Sequence, residues 1–327
     1  LTEYNDTIAQ DFVSMLDNFH SAPECWDDEL DSQLHRWYTN PPKIWPKRPY
    51  FSPSAAGSDS RELYVKTLGA KRDSFGRKPW QARWTAEGTS IGDMIQRDVL
   101  LIGKHVPDAK FHFEFNDAGQ PMFEEFAKVN KRITYRGHTF YIYGQPDGIM
   151  RYTTPDGEEL RVGLEIKSKQ TTAAKTSLHT MREPEDKHVK QTVGYSIMYD
   201  LDDYIILYVN ASKKSWNMTD EEYHKSPDIR AFHVHFTRDD KLALCDYFAD
   251  VLDAVKAKKP PVLNLDKFTF NNYKTACAKS LSDEEFSDIE ALVNRMQHSS
   301  LGDKAKQEYA DALEFIRSVR QDGGDAS

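Results

Sequence analysis

Cysteine is scarce: three residues, Cys25, Cys245 and Cys277, lie far apart in a chain of 327, and no CxxC pair exists. So sparse and odd a set argues against a disulfide framework, a structural zinc and a cysteine-held iron–sulfur cluster. Long apolar runs are missing as well. No stretch approaches the roughly 18 residues of a membrane span. The opening segment, Leu1 to Gln10, is polar and acidic, without the basic start and apolar stretch of a signal peptide. The expected location is cytoplasmic, with no membrane partner. Positive charge is in deficit too: 43 Lys and Arg face 52 Asp and Glu, a net charge of −9. That balance tells against holding nucleic acid by a bulk electrostatic field. It leaves open a local positive groove, and a metal site needs carboxylates beside it.

What is present suffices for a sizeable core, since 39% of residues are hydrophobic and 12% aromatic. Basic residues cluster at Lys43, Lys47 and Arg48, then at Lys71, Arg72, Arg77 and Lys78. Apolar spacing predicts amphipathic helices over Thr7–Phe19, Ser58–Leu68, Thr89–Ile102, His188–Tyr199 and Arg238–Lys258. Five prolines between Pro41 and Pro53 predict an extended arm. Period-two alternation predicts strands over Lys110–Phe115, Glu125–Thr134, Thr139–Tyr143, Gly144–Met150, Leu160–Lys167 and Ala231–Phe236. Arg136-Gly137 and Pro155-Asp156-Gly157 mark turns, which reads as an antiparallel meander after a helix. Tyr204–Val209 is an almost continuous apolar run, hence a buried strand. From Ser282 the chain reads as helical, acidic and amphipathic, ending in a disordered tail over Gln321–Ser327.

Chemistry concentrates in Gln145-Pro146-Asp147-Gly148, a hairpin, and then Glu165-Ile166-Lys167. Alternate residues of a strand share a face, so Glu165 and Lys167 point together and Ile166 points into the core. Asp147, at the start of the preceding strand, can be set beside them. Two carboxylates there can hold one or two Mg²⁺ ions, with the backbone carbonyl of Ile166 as a further oxygen. A cation so held acidifies water, and Lys167 can orient that water or stabilise charge on a phosphoryl centre. Taken alone, an ExK strand more often presents a solvated face. Gln191 and Tyr195, four apart on the next helix, share a face and can contact a phosphate and a base. Alone, they too fit an ordinary polar face.

The order Pro-Asp-Gly, Glu-x-Lys, Gln-x-x-x-Tyr resembles the RecB branch of the PD-(D/E)XK nucleases. That branch includes the nuclease domains of RecB and AddAB, the CRISPR-adaptation nucleases and many phage exonucleases. The matching motifs span about Gly88 to Val209, and Ser52-Pro-Ser54, Arg61 and Leu68-Gly69 resemble the branch's helical lead-in. The resemblance implies a restriction-endonuclease-like α/β core: a central mixed sheet flanked by helices, with helical additions at both ends. It implies three regions: 1–50 as N-terminal helix and arm, 51–265 as the nuclease core, and 266–327 as a C-terminal helical extension. Asp147 and Glu165 become metal ligands for Mg²⁺ or Mn²⁺, and Lys167 the catalytic lysine. Gln191 and Tyr195 become substrate-side residues, with Lys169, Arg61 and Trp84 as further candidates.

Two departures stand out. The branch usually carries a histidine ligand four residues after a glycine on the helix before the sheet, whereas here Gly92 is followed at that offset by Gln96. Gln96 through its amide oxygen, or Glu87 or Asp93 as in lambda-type exonucleases, are the candidate replacements. Several relatives also hold an iron–sulfur cluster on four cysteines. Here Ser60 stands at the early cysteine position and only Cys277 lies late, so no cluster is expected. His233 and His235 form an HxH that reads as exposed strand positions. Trp45, Trp80 and Trp84 lie among Lys and Arg and suit either base stacking or packing.

The function expected is metal-dependent exonuclease action on DNA ends in recombination, repair or phage DNA metabolism. A recombination or single-strand annealing protein is a candidate partner, and a homo-oligomer is compatible with the branch. A structure-specific or nicking endonuclease on the same site is the enzymatic alternative. A non-catalytic DNA-binding or assembly module on a nuclease fold is the alternative of another class. RNA as substrate also stays open.

Overall fold

The computed structural model describes residues 6–74 and 76–322. Helix α1 (Asp6–Ser21) buries Ile8, Phe12 and Leu16, as the apolar spacing predicts. Helix α2 (Asp28–Thr39) is a helix the sequence reading passed over. Asp27 caps it, its carboxylate accepting from the Leu30 amide at 2.9 Å. The short strand β1 (Tyr50–Phe51) and helix α3 (Ser60–Thr67), capped by Asp59, follow. Helix α4 (Pro79–His105) begins ten residues before the apolar period does. Pro79 sits at its first position and the Gln81 carboxamide accepts from the Lys78 amide. Its first half is largely exposed, so it has no buried face to reveal a period.

Strand β2 (Phe111–Phe113) precedes helix α5 (Glu124–Ala127), where an unbroken strand was expected. Strands β3 (Val129–Tyr135), β4 (His138–Gly144), β5 (Gly148–Thr153) and β6 (Glu159–Lys169) follow. Then come helix α6 (Asp186–Tyr199), strand β7 (Asp203–Asn210), helix α7 (Asp220–Lys225) and strand β8 (Ile229–His235). The chain ends in helices α8 (Arg238–Ala257), α9 (Lys274–Lys279), α10 (Asp283–Gln297) and α11 (Asp303–Asp322). Of the tail expected to be disordered, 321 and 322 close α11, and 323–327 lie outside the described residues.

The fold is mixed α/β. A five-stranded sheet has the order β2-β5-β6-β7-β8, antiparallel except for the parallel pair β6–β7, which α6 connects. A second, three-stranded sheet has the order β1-β4-β3. The expected meander therefore divides between two sheets. Its hairpin β3–β4 turns at Arg136 and Gly137, both at positive φ (48° and 77°), a conformation suited to a tight two-residue turn.

The chain forms two compact units. The first takes in Leu1–Ala56, Arg77–Ile133 and Phe140–Leu244, and holds the five-stranded sheet. One face of that sheet (Met150, Val162, Leu164, Ile205, Leu207, Val209) packs with Ile8, Phe12 and Leu16 of α1 and Ile95, Val99 and Ile102 of α4. Each such side chain contributes about 1.5–3 kcal/mol on burial. The opposite face, bearing Glu165 and Lys167, meets α6. Nothing in the helix set of the described residues is long and apolar enough to cross a membrane.

The second unit comprises Gly57–Gly76, Thr134–Thr139 and Cys245–Ser327. Arg61 belongs here, and it corrects an expectation. The side chain is 0% exposed and cannot meet substrate. Its guanidinium donates to both carboxylate oxygens of Glu285 (2.7 and 3.0 Å), to the Ser280 hydroxyl and carbonyl, and to the Pro261 carbonyl. A planar five-donor group is used here to tie α3 to the C-terminal helices.

Candidate active site

The Pro146-Asp147-Gly148 segment places Asp147 just before β5, and the register Gly148↔Leu164 sets it at the level of Glu165 on β6. Gly148 is required for that approach: a Cβ there would lie 2.5 Å from the Phe113 ring and 3.2 Å from Leu164. Asp147 Oδ2 accepts the Ile166 backbone N–H at 2.6 Å. Glu165, 1% exposed, pairs with the Lys167 ammonium. Gln191 of α6 bridges the two, its Nε2 donating to Glu165 Oε1 at 2.8 Å and its Oε1 accepting from Lys167 Nζ at 3.3 Å.

Burial pushes the Asp147 and Glu165 carboxyls up, and Asp147 raises Glu165 further. Burial works against the charge on Lys167, yet Glu165 and Asp147 prevail and its pKa rises. Tyr195, 7% exposed, lies on the same side of α6. Burial, with Glu165 and Asp147 nearby, holds its phenol far above the usual range. His188, one turn before Gln191, is kept neutral: burial and then Lys167 push its imidazole down to about 3.

Gln96 enters from α4, 2% exposed, and its Nε2 donates to the Asp147 carbonyl at 2.9 Å. Two oxygens here are buried without a hydrogen-bond partner, Gln96 Oε1 and Glu165 Oε2. Such groups cost roughly 1–3 kcal/mol each when left unsatisfied. Asp93, one turn before Gln96, is exposed at the rim. Glu87 is also exposed, on the outlying half of α4. Nine residues of helix, about 14 Å of rise, separate it from Gln96, which removes it as a partner of the carboxylate pair.

Sequence reasoning missed Glu124. Its backbone N–H donates to the Pro146 carbonyl at 2.8 Å, beside Asp147. It does so at φ 44°, a left-handed conformation costing about 1–2 kcal/mol for a residue with a side chain. Burial, then Asp147 and Asp93, push its carboxyl up to about 7, with the nearby Gln96 amide pulling the other way. Only the Glu124-Glu125 pair flanked by Phe123 and Phe126 hinted at it, and that pattern reads equally as a strand.

Among the described residues no three His, Cys, Asp or Glu side chains converge as a metal-binding group. A cation here would thus draw on Asp147 and Glu165 together with neutral oxygens, the Gln96 amide and the Ile166 carbonyl. Hard oxygens of this kind, two of them unpartnered, fit Mg²⁺ or Mn²⁺. The remaining candidates lie nearby or elsewhere. Lys169 pairs with Glu185 and lies over the Tyr208 ring at 5.1 Å. Trp84 is 49% exposed. His233 is buried, against expectation, and His233 and His235 both bond Asp203 Oδ1, at 2.8 and 3.0 Å.

No known family model matches the chain, and no curated protein matches it in sequence. Among solved structures it is similar to the protein SSO0001, with 12% identity over 77% of this chain and 95% of that one and a TM-score of 0.41. It is also similar to the alkaline exonuclease LHK-Exo from Laribacter hongkongensis, with 10% identity over 64% and 89% and a TM-score of 0.37. The complex of LHK-Exo with dAMP gives 11% identity over 63% and 88% and a TM-score of 0.36.

Proposed function

We propose that this chain is a divalent-cation-dependent deoxyribonuclease of the PD-(D/E)XK type, related to the RecB branch, that removes nucleotides from DNA ends. The observation that carries the reading is the pairing of two adjacent carboxylates, half-buried Asp147 and buried Glu165, with two unpartnered acceptors, Glu165 Oε2 and Gln96 Oε1, beside a half-buried lysine. Carboxyls forced upward by burial, and for Glu165 also by the charge of Asp147, are poised to be relieved by a dication. When bound, Mg²⁺ or Mn²⁺ supplies charge neutralisation at the phosphate and acidifies water.

The residues divide the remaining work. Asp147 and Glu165, with the Ile166 carbonyl and Gln96, hold the cation, and the Ile166 N–H fixes the Asp147 rotamer. Lys167, kept charged, would stabilise the negative charge that builds on the phosphoryl oxygens as a water oxygen bonds to phosphorus and the P–O bond to the leaving oxygen breaks, that oxygen taking up a proton from solvent. Gln191 aligns Lys167 with Glu165, and Tyr195 backs that side of the site. Exonuclease action, a recombination or annealing partner and a phage or bacterial setting follow the sequence resemblance.

The test compares the wild type with Lys167→Ala on end-labelled linear and closed circular DNA, with Mg²⁺, Mn²⁺ or EDTA. Release of terminal nucleotides from linear DNA only, lost in EDTA and in the variant, is the expected result. Equal degradation by Lys167→Ala would sink the site assignment. Cleavage of the circle without terminal release would make the protein an endonuclease. Cation-independent DNA binding without turnover would make it a non-catalytic module.

A further inference from the structure

Beside the proposed site lies a cleft of about 450 Å³ that the chemistry described so far does not use. Its walls include the outlying half of α4, through Trp84, the end of β6, through Ser168, Lys169 and Gln170, and Lys175 and Met181 from the segment that follows. Helix and strand are joined there by design of the local sequence. Gln170 Nε2 donates to the Trp84 carbonyl and to the Ser168 hydroxyl, both at 3.0 Å. Gly88 lets the helix lie close, since a Cβ there would stand 3.2 Å from Ser168 Oγ.

Three features point to a ligand. Trp84 leaves 49% of its surface exposed, and Trp80, one turn away at about 6 Å along the helix, leaves 59% exposed. Gln170 Oε1 is buried with no hydrogen-bond partner, although its Nε2 is fully engaged. Lys175 is exposed and enters no ion pair among the described residues, whereas Lys169 is held by Glu185. An aromatic face and an uncommitted ammonium match the ring and the phosphate of one nucleotide, and the unsatisfied Gln170 oxygen lies buried in the cleft wall. Glu183 and Glu185 also line the cleft, so a bulk cationic field is not what draws the ligand.

We propose that this cleft holds an unpaired nucleotide of the substrate strand, its base stacked on Trp84 and its phosphate on Lys175. The proposal rests on the nuclease reading for its substrate and names the form in which that substrate is held. Ser168 and Lys169 directly follow Lys167, about 3.3 Å per residue along β6, so the cleft receives a nucleotide neighbouring the scissile phosphate. A base reaches the Trp84 ring only once it is unstacked and unpaired. The enzyme therefore grips a single strand, or opens a duplex end to obtain one.

The test is binding by the full-length chain in EDTA, where turnover is not required, read by anisotropy of a labelled single-stranded 12-mer, a blunt duplex and an abasic 12-mer. Trp84→Ala is expected to weaken single-strand binding about ten-fold. Trp84→Phe should recover most of that loss. The abasic strand should bind wild type and Trp84→Ala alike. Lys175→Ala should reduce the salt slope by about one. Unchanged single-strand affinity in Trp84→Ala, or an equal loss on the abasic strand, overturns the proposal. Because no hydrolysis enters the measurement, failure of the nuclease reading leaves this result standing. Conversely, intact hydrolysis with unchanged affinity defeats the cleft alone.

Discussion

The Asp147 carboxylate accepts the backbone N–H of Ile166, so the acid that opens one strand is held by the residue between Glu165 and Lys167 on the next. One backbone hydrogen bond thus sets the spacing of both carboxylates and the lysine. Beside it, Glu165 Oε2 and Gln96 Oε1 have no donor among the described residues.

That arrangement makes stability depend on pH. Asp147, Glu165 and Glu124 all titrate higher in the fold than the value near 4 of an unfolded chain. Between the two values the folded form binds more protons, so its stability is full below about pH 4 and is lost as pH rises through the folded values. Glu124, at about 7, sets a window below neutrality. In EDTA the melting temperature should fall between pH 5 and pH 8, and fall by less in Glu124→Gln. An identical fall in the variant would remove Glu124 from the site.

Replacing Lys167 by Met removes the only ammonium paired with Glu165 among the described residues. Glu165 is buried and Lys167 only partly so, so breaking the pair costs about 2–3 kcal/mol, less than a fully buried pair, or about 5 °C in a chain of this size. The melting temperature at pH 8 in EDTA should drop by that order. Mn²⁺ should raise it by more than it raises the wild type, because the dication then neutralises carboxylates the lysine has left. Hydrolysis should fall by about 100-fold or more. Loss of the Mn²⁺ shift together with activity would mean that Lys167 serves the fold alone.

Gln96→Ala deletes the donor to the Asp147 carbonyl and the unpartnered Oε1 together. Calorimetric titration should show Mn²⁺ binding several-fold more weakly. An unperturbed Mn²⁺ affinity would assign Gln96 to orienting Asp147 only.

Arg61 gives the opposite kind of forecast. All its donors serve Glu285, Ser280 and Pro261, with no exposed surface. Arg61→Ala should cost about 3–5 kcal/mol, seen as faster amide exchange in the second unit, and Arg61→Lys should not rescue it because an ammonium cannot make the forked contact. A variant that melts normally but loses DNA affinity would restore Arg61 to the substrate.

Much was legible before folding because it is local. Alternation fixed which face Glu165 and Lys167 share, helical spacing put Gln191 and Tyr195 on one side, and the apolar periods of α1, α6 and α8 located those helices. Elements without a buried stripe were harder: the first half of α4 carries no apolar period, and α5 interrupts what alternation reads as a strand.

By itself the sequence determined which residues make up the candidate site and the periodicities that deliver them: two acids, a lysine, a glutamine and a tyrosine at fixed offsets along a strand and a helix. Only the tertiary structure decided which distant residues join them. It brought in Glu124 and withdrew Glu87 and Arg61, because burial, left-handed backbone and hydrogen bonds across many residues depend on packing, for which no spacing within one element is a signal.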